Sequence, residues 1–166
     1  MAFLIGIPIL ATLVVFQSAI LSRVPLLHGT ADLLLLAIVA WALQKRVQTA
    51  WHWSIIAGLI VTFTTALPFG VPLAGYLLAT GVALVLRHRI WQAPILAMFV
   101  ATFAGTVITQ GIDLFVLRTA GWNLPLLESF NLVTLPSLLL NLLFAIPMFA
   151  ILSDLASWLY PEELEV

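Results

Sequence analysis

Long apolar runs, broken by short polar or Gly/Pro signals, dominate the chain, and their lengths predict helices. The first run gives a helix from Phe3 to Ser22, with Pro8 early, Gln17-Ser18 late and Arg23-Val24-Pro25 at its end. A link containing His28 and Gly29 leads to a second helix, with Thr30 or Asp32 as its N-cap. That helix runs through Leu33-Leu34-Leu35-Leu36 to Leu43, where Gln44-Lys45-Arg46 stops it. A hairpin follows, with helices from Trp51 to Leu67 and from Val71 to Leu86 reversing at Leu67-Pro68-Phe69-Gly70 and closed by Arg87-His88-Arg89. Each arm of about 16 residues reaches roughly 25 Å, slightly less than a ~30 Å hydrocarbon core. This hairpin is the expected organiser of the chain. A long helix from Gln92 to Leu117 comes next. The last runs from Leu132 to Trp158, capped by Thr134, with Pro136 in its first turn and a kink expected at Pro147. The longest connection lies between these two, over residues 118–130.

Composition turns this pattern into a membrane protein. Charged residues make up 8% of the chain against about 25% in soluble domains, and mean hydropathy is +1.19. The runs are too smooth for β-barrel strands, which alternate every second residue. The expected fold is therefore an all-α integral membrane protein, a six-transmembrane-helix bundle. It forms a single domain over residues 1–160 with an acidic tail over 161–166. The first run has no basic segment before it and exceeds a signal-peptide core, so it reads as a retained span. The absence of cysteine removes disulfides and thiolate metal sites, and a net charge of −1 gives no reason to expect nucleic acid. Lys45, Arg46, Arg87 and Arg89 fall at one side of the bundle, Arg23 and Arg118 at the other. The positive-inside rule then places both termini in the cytoplasm.

Small residues recur at four-residue spacing: Ser54, Gly58, Thr62 and Ala66; Gly75, Ala79 and Ala83; Ala93, Ala97, Ala101, Gly105 and Thr109. Such stripes let helix backbones meet in lipid. Packing within one subunit is the expectation, and docking of a partner's helix the alternative. Gln17, Asp32, Gln110 and Asp113 fall in the outer half of the bundle, with Asn141 near mid-depth. Ionisable groups at such positions are costly and mark structure or function. They form either an interhelical hydrogen-bond cluster or a pocket or partner contact. Arg118 or water is expected to reach Asp113. Trp122, Leu127 and Phe130 make the 118–130 connection a candidate extracytoplasmic interface. Catalysis draws little support. His28, His52 and His88 sit at membrane boundaries without metal-ligand spacing, and an Asp32/Asp113 aspartyl pair is the remaining route. No cofactor and no metal is expected.

The order of these features resembles the bacterial rod-shape-determining MreD family. The matching pieces are Gln17-Ser18, then Asp32-Leu33-Leu34-Leu35, then Gly58 to Gly70 with its Leu67-Pro68-Phe69-Gly70 end. The basic turn Arg87-His88-Arg89 and the series Leu135-Pro136-Ser137, Asn141 and Pro147 complete the match. The chain departs from the family at Ala31, where Pro is usual, at Thr62, where Asp is common, and at Ala66, where Gly is common. The resemblance implies a non-enzymatic scaffold of the cell-elongation machinery in the bacterial inner membrane. Its partners would be MreC and, around that pair, MreB, RodA and the transpeptidase; a homo-oligomer stays open. The family's bundle is similar to the substrate-binding subunits of energy-coupling-factor vitamin transporters, which supplies the alternative function. Those subunits typically carry Ala-x-x-x-Ala on the first helix. Here Ala11 is followed by Val15 and Ala19 by Arg23.

Overall fold

A computed structural model describes residues 2–19, 28–90 and 92–161. The end expected for the first helix at Arg23-Val24-Pro25, and the acidic tail from position 162 on, lie outside the described residues. Helices form 81% of the described residues. They are α1 (Ala2–Ala19), α2 (Leu33–Leu43), α3 (Ala50–Thr64), α4 (Val71–Arg89), α5 (Pro94–Thr119) and α6 (Leu126–Leu159). Three of them, α4, α5 and α6, are long and apolar enough to cross a membrane. They expose Leu78, Val85, Ile95, Phe103, Phe115, Leu143 and Ile151, a surface that suits lipid and would be a liability in water. The protein is a helical membrane protein.

The organising element is α2, not the α3–α4 hairpin expected from the sequence. All 11 of its residues are buried, none more than 6% exposed. It packs against α1, α3, α4, α5 and α6. The reason is its composition: Leu-Leu-Leu-Leu-Ala-Ile-Val-Ala-Trp-Ala-Leu is apolar on every face, and a helix of that kind is buried all round. At ~16 Å it covers about half a hydrocarbon core. Its N-terminal end lies inside the bundle, where the orphan backbone N–H groups need protein partners, while its C-terminal end leads into exposed Lys45 and Arg46.

The other boundaries shift for identifiable reasons. α3 ends at Thr64 rather than Leu67, because Pro68 disfavours helix just before it and the chain bends over 65–67. The reversal then closes at Gly70, whose φ of +87° suits glycine alone among common residues, and Pro72 occupies the first turn of α4. α4 runs on through Arg87, His88 and Arg89, which form its last turn rather than a link. Cations there oppose the negative end of the helix dipole. α5 begins at Pro94 and reaches Thr119, so Arg118 is helical. α6 starts at Leu126, six residues earlier than expected, and passes through a π turn over Phe130–Thr134. Thr134 makes no capping bond. The supposed long connection shrinks to residues 120–125. Trp122 stands in that turn, while Leu127 and Phe130 belong to the start of α6. All three are exposed, at 64%, 73% and 47%.

The small-residue stripes lie largely at buried helix crossings, except Ala66, which falls past the end of α3 and is exposed. A Cβ on Gly58 would sit 2.7 Å from Leu73 Cα, which sets the closeness of α3 and α4. Gly75 faces Thr109 across α4 and α5, and Gly105 faces Ala79 and Leu35. Thr62, Ala79, Ala97 and Ala101 are buried in the same interfaces. These contacts are within the chain.

The far end of α2 carries the basic residues. Arg87 donates from Nη1 to the carbonyls of Gln44 at 3.1 Å and Val47 at 2.9 Å, and Gln44 Nε2 donates to Ala40 O at 3.2 Å. Arg46 donates to the Tyr160 carbonyl at 2.9 Å, tying this end to the end of α6. Trp41 stacks on Trp53 at 4.3 Å between ring centroids and donates its indole N–H to Thr49 Oγ1 at 3.2 Å.

Candidate functional site

The N-terminus of α2 gathers the polar residues that the sequence singles out. A helix begins with N–H groups that have no intrahelical acceptor. At a buried end each must be met by protein or water. Asp32 is the N-cap, and its Oδ1 accepts from Leu35 N–H at 2.9 Å. Gln17 reaches from α1 and accepts from Leu33 N–H at 2.8 Å. Asn141, on α6 and 1% exposed, accepts the Asp32 N–H at 2.7 Å. Its Nδ2 donates to Thr106 Oγ1 at 2.9 Å, and Thr106 donates on to Thr102 O at 2.8 Å.

Two further contacts fasten the segment leading into α2. Ser137 Oγ accepts the Thr30 N–H at 3.1 Å, and His28 N–H donates to Leu132 O at 3.1 Å. Gly29 lets this segment lie on α6, since a Cβ there would meet Ser137 N at 2.5 Å. Of the two expected caps, Asp32 fills the role and Thr30 does not.

Tyr76 completes the site and has no place in the sequence-based list. Its hydroxyl donates to the Asp32 carboxylate, 2.9 Å from both oxygens. The signal was available: Tyr76 is the one tyrosine inside an apolar run, and a buried tyrosine hydroxyl seeks a partner. Thr106 is the second omission. It looks like any helix threonine in sequence, and only the approach of α6 gives it a role.

The candidate cluster therefore divides. Gln17, Asp32 and Asn141 are engaged in holding α2. Gln110 and Asp113, both on α5, are not. They line the same cavity, of about 270 Å³, together with Gln17, Asp32, Tyr76 and Asn141. Gln110 Oε1 is buried with no hydrogen-bond partner. Asp113 makes no hydrogen bond and no ion pair among the described residues, so the expected contact with Arg118 is not formed. Arg118 is exposed beside Gly111, Phe115 and Leu126 instead. Five residues, about 1.4 turns of α5, separate the two along the chain, and the side chains line different cavities.

His28, His52 and His88 are exposed at helix ends or links, and no group of three or more His, Cys, Asp or Glu side chains among the described residues could hold a metal ion. The Asp32 carboxylate is already held by Tyr76 and an N–H. Searches with this chain match no family model, no curated protein and no solved structure.

Proposed function

We propose that this protein is a non-enzymatic, MreD-like scaffold of the bacterial inner membrane, which binds MreC and helps organise peptidoglycan synthesis and rod shape. One observation carries the reading. The segments on which the resemblance rests, around Gln17, Asp32 and Asn141, are far apart in sequence and converge on the start of α2. With Tyr76 and Thr106, their hydrogen bonds tie four helices, α1, α4, α5 and α6, to the one core helix, as a rigid scaffold requires. MreB, RodA and its transpeptidase would be reached through that complex.

The decisive test is co-expression. Tagged protein should retain MreC in mild detergent without added small molecules, and failure to do so would count against the whole assignment. Topology is part of the same proposal: six spans, with both termini and the Arg87–Arg89 end in the cytoplasm. The chain has no native cysteine, so single cysteines can be placed cleanly. In intact cells an impermeant thiol reagent should label position 121 and not position 88; the opposite pattern reverses the orientation.

A second reading has one observation in its favour. The cavity at the start of α2, with Gln110 and Asp113 unengaged, is of the kind a substrate-binding subunit of an energy-coupling-factor transporter would use. Against it stands the missing Ala-x-x-x-Ala on α1. A panel of vitamins that leaves the melting temperature unchanged favours the scaffold; a clear shift with one vitamin favours transport.

A further inference from the structure

Two cavities adjoin at the α5 residues that the α2 cap leaves out. The polar chamber of about 270 Å³ and a second cavity of about 320 Å³ share Leu67, Gln110 and Asp113 as a common wall. The second is mostly aliphatic, lined by Leu114, Leu117, Leu124 and Val133, and lies against the 120–125 turn and the start of α6. Most polar groups of the first are engaged: the Asp32 carboxylate, the Gln17 and Asn141 amide oxygens, and the hydroxyls of Tyr76, Thr106 and Thr109. At the wall shared by the two cavities, the unengaged groups are the Asp113 carboxylate and the Gln110 amide, whose oxygen is buried and unpaired. Among the described residues, no Lys, Arg or His lines either cavity. Two carboxylates thus face one chamber with no cation among the described residues of its wall. An acceptor or a charge enclosed in this way is costly until a donor arrives.

We propose that the joined cavities bind an amphiphile with a primary ammonium head and an aliphatic body. The ammonium offers three N–H donors and a positive charge. Asp113 takes the charge-assisted bond, and the Gln110 oxygen gains the partner it lacks. The aliphatic body lies along Leu114, Leu117, Leu124 and Val133. The size of the chamber and its aliphatic neighbour favour an organic cation over a bare metal ion, consistent with the lack of a three-ligand group among the described residues. This site goes beyond the scaffold reading and does not rest on it.

Hexylamine, protonated at neutral pH, is the probe, with hexanol and hexanoate as neutral and anionic counterparts. On the full chain in detergent, hexylamine should raise the melting temperature saturably. Hexanol should need about tenfold more for the same shift, since it forfeits a charge-assisted bond, and hexanoate should give none. Asp113→Asn should erase the preference for amine over alcohol. Val133→Trp, which fills the aliphatic cavity, should abolish both responses. Two sources share this chemistry, an ethanolamine lipid of the bilayer and a soluble amine. Greater stability in phosphatidylethanolamine than in phosphatidylcholine nanodiscs, with Asp113→Asn removing the difference, assigns the lipid. A hexylamine response with no lipid preference assigns the soluble amine. Equal midpoints for hexylamine and hexanol in the wild-type protein, or an amine preference that survives Asp113→Asn, overturns the proposal. Both results are read without MreC, so they stand or fall apart from the co-purification test.

Discussion

Gly58→Ala should destabilise the bundle by about 2 kcal/mol, although alanine is the better helix former by roughly 1 kcal/mol. The new Cβ would lie 2.7 Å from Leu73 Cα and 2.8 Å from its Cδ1. The Leu73 side chain can rotate away, but its Cα cannot. α3 and α4 must therefore separate, and they are joined by a turn fixed at Pro68 and Gly70 that leaves little freedom to do so. The separation also pulls both helices from α2, which each of them covers. Gly105→Ala is the informative contrast. Its Cβ would meet Ala79 Cβ and Leu35 Cδ1, both at 3.3 Å, so side-chain atoms need give only a few tenths of an ångström. That cost and the propensity gain should nearly cancel. Gly105→Ile, with a branched side chain in the same gap, should fall with Gly58→Ala. Melting temperature and detergent-solubilised yield measure the series. Wild-type behaviour in Gly58→Ala would mean that the α3–α4 approach is looser than 2.7 Å implies.

How much of this was legible beforehand differs by kind of information. The helices themselves, the Pro68–Gly70 reversal and the membrane character follow from apolar run length and charge content, which the bilayer dictates directly. The role of α2 follows from the same data read differently. Its 11 apolar residues look like a weak span when compared with bilayer thickness, and like a core helix when its faces are compared with each other. The gathering of Gln17 and Asp32 at one depth was legible from helix length and direction; Asn141, expected near mid-depth, joins them at the Asp32 N–H. Their sharing of one helix end was not, because it depends on the rotation of α1 and α6 about their own axes, and long apolar runs encode rotation weakly. α6 was misjudged at its start because Phe130–Thr134 forms a π turn, whose extra residue per turn breaks the spacing by which helices are recognised. The engagement of Asp32 and the freedom of Asp113 could not be told apart in sequence. Both are lone aspartates near the end of an apolar run, and only the positions of Tyr76 and the α2 N–H groups separate them.

That separation places the sharpest mutational contrast at Asp32. Asp32→Leu should be severely destabilising, by about 3–5 kcal/mol, because it leaves two buried donors without acceptors, the Leu35 N–H and the Tyr76 hydroxyl, each costing roughly 1–3 kcal/mol. The Asp32 N–H keeps its bond to Asn141, since that bond uses backbone. Asp32→Asn should cost only about 1 kcal/mol: an amide oxygen still caps Leu35 and still accepts from Tyr76, and asparagine is among the best N-caps. Tyr76→Phe should fall between, since it removes one donor from a carboxylate that keeps another. Leucine at Asp113 meets no such penalty, since no hydrogen bond to that side chain is lost. The Asp32→Leu/Tyr76→Phe double variant, in which each single change removes the bond, then measures the coupling. A loss smaller than the sum of the two singles identifies a direct Tyr76–Asp32 bond, and strict additivity breaks it. Denaturation of the detergent-solubilised variants gives the order. If Asp32→Leu melts with the wild type, the α2 N-terminus is held by something other than its cap, and the convergence of Gln17, Asp32 and Asn141 loses its structural meaning.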